Sequence, residues 1–150
     1  MKKPLFLVLV GMILSLSVPV ASGALQEISP NSDDLESKLR FAAGQHEIIG
    51  ILLEQGSFSE ILIEYRQILE LELRGENEVP VVKEAWYLVE QLRQSEQYSL
   101  AHAIVEESLE WLQNRESTFY LLIMRGKIFH DEGRAEEALD AYREAQEFQD

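Results

Sequence analysis

Residues 117–150 read STFYLLIMRGKIFHDEGRAEEALDAYREAQEFQD, and within them Leu122, Gly126, Phe129, Gly133, Ala138, Tyr142 and Ala145 stand at intervals of 4, 3, 4, 5, 4 and 3. Intervals of three and four follow the period of an α-helix, and the five-residue step falls at a glycine. The stretch therefore predicts two helices, Ser117 to Asp131 and Ala135 to Phe148, joined by a tight turn at Gly133. Gly126 and Ala138 remove side-chain bulk where the two axes cross, which permits a separation near the lower end of the ~8–10 Å range. Phe129 and Tyr142 are then expected to fill the space on either side.

Working toward the N-terminus, the same residue types recur. Ala85, Leu88, Val89, Leu92, Tyr98, Ala101, Val105 and Ser108 lie 37 residues before their counterparts in the last pair. Ile49, Leu52, Gly56, Phe58, Ile61, Tyr65 and Ile68 lie a further 40 residues back, with Ile61 replacing the small residue. From Asp33 onward the only proline is Pro80, and no two-residue alternation competes with the helical period. Six helices in three pairs are predicted. The first opens at Asp33, which forms a capping-box pattern with Glu36, and closes at Gly56. The second runs from Phe58 to Leu73 and closes at Gly75. The third takes Pro80 in its first turn and spans Val81 to Gln94, and the fourth covers Tyr98 to Leu112.

A period of this length signals stacked helix pairs, each burying its apolar face only against its neighbours. The spacing from Leu122 to Ala145 resembles that of a tetratricopeptide repeat (TPR), with Leu122 where that family often has Trp and Asp150 where it has Pro. The resemblance extends over about residues 42–150. In the middle copy, Trp86 and Tyr87 are an alternative match to the family's adjacent aromatic pair. The resemblance implies an all-α fold, a right-handed superhelical stack of about three TPR-like helix hairpins (an α-solenoid), with repeats at about 42–75, 82–115 and 119–150. The copies are longer than the family's usual period of roughly 34 residues, which predicts longer second helices or links such as Arg74 to Val79.

Lys2 and Lys3 precede an apolar run from Leu5 to Leu16, followed by Pro19 and the small residues Ala21, Ser22 and Gly23. This reads as a secretory signal peptide of the bacterial type over residues 1–23, cleaved after Gly23. It gives a periplasmic or secreted location. The alternative is a retained N-terminal segment that tethers the chain to a membrane. Residues 24–33 carry Pro30 and Asn31 and read as a flexible lead-in, with the helical domain over 34–150.

The chain has 27 acidic and 13 basic side chains, a net charge of −14, and no Cys. Nucleic acid is excluded as a partner, because neutralising phosphates requires clustered Lys and Arg. The absence of thiols removes disulfides, thiolate zinc sites and cysteine nucleophiles. His46 and Glu47 begin a zinc-protease pattern, but Gly50 occupies the position of the second ligand, and His102 and His130 fall on other repeats. No metal, cofactor or catalytic residue is expected, and the chain is not read as an enzyme. Acidic pairs at spacing four, Glu106 with Glu110, Glu136 with Asp140 and Asp140 with Glu144, are assigned to a solvated convex surface. Ser57, Ser95, Ser99 and Ser117 are assigned to helix ends.

What remains is a surface. In TPR proteins the first helix of each pair lines a concave groove. By position, the resemblance places Lys83, Trp86, Tyr87, Glu90 and Arg93 there in the second repeat, and Tyr120, Ile123, Met124, Lys127 and His130 in the third. Some members grip an acidic C-terminal tail with Lys and Asn at these places; this chain has Ile123 and Met124 and no such Asn. The expected partner is a protein or peptide with hydrophobic anchors, each worth roughly 1.5–3 kcal/mol when buried. The chain is then an adaptor or scaffold. The alternative is a structural subunit of a cell-envelope assembly, which oligomerises through its uncapped C-terminal helix or stays tethered by its N-terminus.

Overall fold

The structure, a computed structural model, describes residues 30–149. The signal-peptide reading and most of the lead-in fall outside the described residues. Those described are all-helical: α1 (Pro30–Gln55), α2 (Phe58–Leu69), α3 (Glu78–Gln94), α4 (Tyr98–Trp111), α5 (Arg115–Asp131) and α6 (Ala135–Gln146), with one 3-10 turn at Gly75–Asn77. Helix α1 begins at Pro30, ahead of the start expected at Asp33. Proline is tolerated in a first turn because its missing N–H is not used there.

Three of the turns are built alike. Gly56, Glu96 and Gly133 have φ of 69°, 57° and 76°, and they lie 40 and 37 residues apart. In each, the next backbone N–H closes on a carbonyl five residues earlier: Ser57 to Leu52 at 2.9 Å, Gln97 to Leu92 at 2.8 Å, Arg134 to Phe129 at 2.9 Å. This is the Schellman closure, which satisfies carbonyls at a helix end and requires a left-handed residue. Glycine supplies that conformation without strain at two of the turns. Glu96 adopts it against the preference of a residue with a Cβ.

The link between α2 and α3 departs from the predicted scheme. Helix α2 ends at Leu69 rather than Leu73, and Glu72 turns left-handed with φ 52°. The turn drives Leu73 into the core, where it is buried with Leu69 and Val81. Gly75 opens the 3-10 turn and does not close α2. Arg74 Nη1 then donates to the Trp111 carbonyl at 2.9 Å, tying this link to the end of α4.

Consecutive helices pair as α1 with α2, α3 with α4 and α5 with α6, the last being the closest packed. Like members also meet across pairs: α3 packs on α5, α2 packs on α4, and α4 also packs on α5. The corresponding positions do corresponding work. Ile61, Ala101 and Ala138 are all buried, as are Ile68, Ser108 and Ala145. The polar member, Ser108, accepts from the Tyr65 hydroxyl at 2.7 Å and donates to the Ile104 carbonyl at 2.6 Å, so neither buried hydroxyl lacks a partner.

Side-chain volume is traded between equivalent sites in the last two pairs. Val89 and Val105 occupy the places that Gly126 and Tyr142 take in the last. A Cβ built on Gly126 would fall 2.4 Å from Cε1 of Tyr142 and within 2.8 Å of two more ring atoms. The tyrosine ring therefore covers the glycine itself, where flanking positions had been expected. Phe129 meets both the His102 ring, centroids 4.6 Å apart, and the Arg134 guanidinium, 4.4 Å from its own ring centroid.

Candidate functional site

Helices α1, α3 and α5 supply two adjoining depressions, one on each side of α3. The one between α3 and α5 encloses about 280 Å³ and is bordered by Val79, Val82, Lys83 and Trp86 from α3 and by Glu116, Ser117 and Tyr120 from α5. Trp86 and Tyr120 meet edge to face, with ring centroids 6.2 Å apart and planes at 86°. That geometry lets the positive ring edge point at the negative face. Lys127 Nζ sits 4.4 Å from the Trp86 ring centroid and 3.0 Å from Glu90 Oε1, so one cation is held by a π face and a carboxylate together.

A buried carboxylate ties α3 to the segment that leads into α5. Glu78, 1 % exposed, accepts from the backbone N–H groups of Asn114 at 2.9 Å and Gln113 at 3.3 Å, binding the start of α3 to the approach of α5. Asn114 caps α5 through Oδ1, accepting from Glu116 and Ser117. Ser117, assigned by sequence to a cap, makes none: its hydroxyl is buried without a hydrogen-bond partner beside the depression. Ser57 likewise makes no side-chain cap.

The second depression, between α1 and α3, is larger at about 660 Å³. The two helices stand too far apart for the close backbone packing that joins α3 to α5. Its walls are apolar at Leu39, Ala43, Leu53 and Val81, and its charged groups are Glu47, Glu54 and Glu84, with no Lys or Arg among the lining residues. None of these three carboxylates has an ion-pair or hydrogen-bond partner among the described residues. Desolvation, then the nearby charge of Glu47, raises the pKa of Glu84. Burial pulls His46 down to about 4, so its imidazole is neutral at pH 7.

The residues expected on this face divide. Lys83, Trp86 and Tyr120 come together at the α3/α5 depression, with Lys127 held over the Trp86 ring. Tyr87, 47 % exposed, lies on the other flank of α3 and borders the α1/α3 cleft. Arg93 is largely covered and engaged by Asp131 and Glu90, each at 2.7 Å, which makes it a structural ion pair. Ile123 is half-buried and lines neither depression. Met124 is 1 % exposed and belongs to the core, which corrects its assignment to the surface. The reason is the unequal spacing: α5 is packed by α3, α4 and α6, so the position equivalent to the exposed Tyr87 is covered.

Sequence reasoning passed over the α1 wall. Moving Lys83, Trp86, Tyr87, Glu90 and Arg93 back by the same 40 residues gives Ala43, His46, Glu47, Gly50 and Leu53, and all five line the cleft. The repeat offset was the signal that would have found them. On the other helices, Glu106 and Glu144 are drawn together by Arg125, at 2.6 Å and 3.4 Å, rather than simply solvated. His102 binds Glu132 at 2.8 Å, and His130 is exposed in the last turn of α5. Among the described residues no three potential ligands are grouped to hold a metal, and no helix is long and apolar enough to cross a membrane.

Comparison with protein-family models, with curated proteins and with solved structures finds no significant match to this chain.

Proposed function

We propose that the chain is an exported protein–protein interaction module, a stack of three TPR-like hairpins in a right-handed superhelix, which holds a peptide segment of a partner along α1, α3 and α5 and performs no chemistry of its own. The observation that carries this reading is the recurrence of one turn at Gly56, Glu96 and Gly133, with α3 against α5 and α2 against α4. Equivalent hairpins joined like to like form an array, and the first helices of such an array share one face. One further feature favours occupancy of that face: Trp86 and Tyr120 offer aromatic area beside an open depression.

The test compares capture of the native partner from cell envelopes by the wild-type chain and by Trp86→Ala and Tyr120→Ala variants of unchanged helicity. Capture falls by roughly tenfold or more with either variant if the face binds. Undiminished capture with both contradicts the reading.

A second reading, a structural subunit that self-associates, rests on apolar side chains exposed on the terminal helices: Phe41 and Ile48 on α1, Leu139 on α6. Sedimentation separates the two, since an adaptor is monomeric without its partner.

A further inference from the structure

The α1/α3 cleft differs in kind from its neighbour across α3. Between α3 and α5, Glu90 is matched by Arg93 and Lys127, and Asp131 by Arg93. Between α1 and α3, Glu47 on one wall and Glu84 on the other lie within reach of each other's charge, Glu54 adds a third, and no Lys or Arg among the described residues lines the cleft. All three carboxylates are exposed, so solvent screens their mutual repulsion without cancelling it, and an arriving opposite charge gains from all of them at once. His46, neutral at pH 7, supplies none.

The rest of the cleft is apolar and roomy. Ile51 and Tyr87 stand at its edge, 53 % and 47 % exposed. Gly50, in the interior of α1, lines it with nothing within 4 Å of where a Cβ would lie. A glycine in a helix interior costs about 1 kcal/mol relative to alanine, and the chain's own packing gives no reason for it here. Its effect is to widen the cleft at its middle.

We infer that this cleft receives a basic, apolar segment of the partner polypeptide, with a Lys or Arg side chain set between Glu47 and Glu84 and a neighbouring large apolar side chain seated against Ile51 and Tyr87. Charge complementarity selects this occupant: the lining is acidic without compensation, and an acidic or purely apolar segment leaves the carboxylates as they are. The inference rests on the reading of this face as a peptide groove and adds the chemistry of the peptide.

The experiment titrates the purified chain calorimetrically with two short synthetic peptides, one alternating Leu with Lys and one alternating Leu with Ser. The Leu/Lys peptide is expected to bind, the Leu/Ser peptide to bind about tenfold more weakly, and Glu47→Gln combined with Glu84→Gln to abolish that preference while leaving the helicity intact. A second double variant, Glu60→Gln with Glu136→Gln, removes the same charge from exposed sites on α2 and α6 and is expected to leave the preference unchanged. Equal losses in the two double variants would mean attraction by net charge alone and would overturn the inference. Equal binding of both peptides, lost on Trp86→Ala, would overturn it while leaving the groove reading standing. Failure of both peptides to bind also overturns it, and the groove reading then stands or falls separately on capture of the native partner.

Discussion

Helix α3 has neighbours on two sides and meets them differently. Toward α5 the backbones pack, the aromatic rings of Trp86 and Tyr120 touch, and Glu90 and Asp131 find Arg93 and Lys127. Toward α1 a cleft remains, with a neutral His46, a glycine that packs against nothing and carboxylates that find no cation among the described residues. Beyond α5, the α5/α6 hairpin uses Gly126 to bring two elements together under the Tyr142 ring, whereas Gly50 on the open side of α3 meets only space. Helix α3 thus has one flank whose charges are paired and one whose carboxylates are not, and the second is where an opposite charge from another molecule has most to contribute.

Variants of the two glycines break or sharpen this contrast most directly. Gly126→Ala puts a methyl group into the Tyr142 ring, and overpacking of this kind is expected to cost about 3 kcal/mol by chemical denaturation. A neutral result would mean that α5 and α6 are not held at that distance. Gly50→Ala, on the open side, should raise stability by about 1 kcal/mol, since the added methyl meets only space.

Between these two in size is a pH effect belonging to the open side. The folded pKa of His46, about 4, lies below its ordinary 6.5, so the unfolded chain binds the extra proton first. Stability from this group is full above about pH 6.5 and is lost as pH falls toward 4, by on the order of 2 kcal/mol. Glu84 acts in the opposite sense, because its raised pKa means that the fold gains from protonation as pH falls. Denaturation of wild type and His46→Gln at a series of pH values isolates the histidine: the variant should show the shallower acid loss.

The smallest effect concerns the equivalence of the three turns. Glu96→Gly places in the middle turn the residue that the other two already have, and should stabilise by roughly 0.5–1 kcal/mol. Destabilisation would mean that the three turns are alike in φ but not in what holds them.

Much of the architecture was legible because helical periodicity and turn glycines are local signals. The helices from Phe58 onward, the turns at Gly56 and Gly133, and the place of Pro80 in the first turn of α3 could all be read off the chain. The early end of α2 could not, since it depends on where Leu73 finds the core. The residues of the candidate face were legible in part. Trp86, Lys83 and Tyr120 line one depression, but whether Met124 faces solvent is decided by the packing of α5 against its neighbours, a property of several helices and not of one. Arg93 carries the composition of a binding residue and is consumed by Asp131 and Glu90.

The most direct test of the account installs a photo-crosslinking residue at Tyr87 or Tyr120 on one face, and at Ile63 or Leu139 on α2 and α6, all exposed apolar positions. Irradiated in cells, the first two positions should give one discrete adduct to the same polypeptide and the second two none. Adducts confined to Ile63 and Leu139, or equal from all four, would contradict the assignment of binding to the face of α1, α3 and α5.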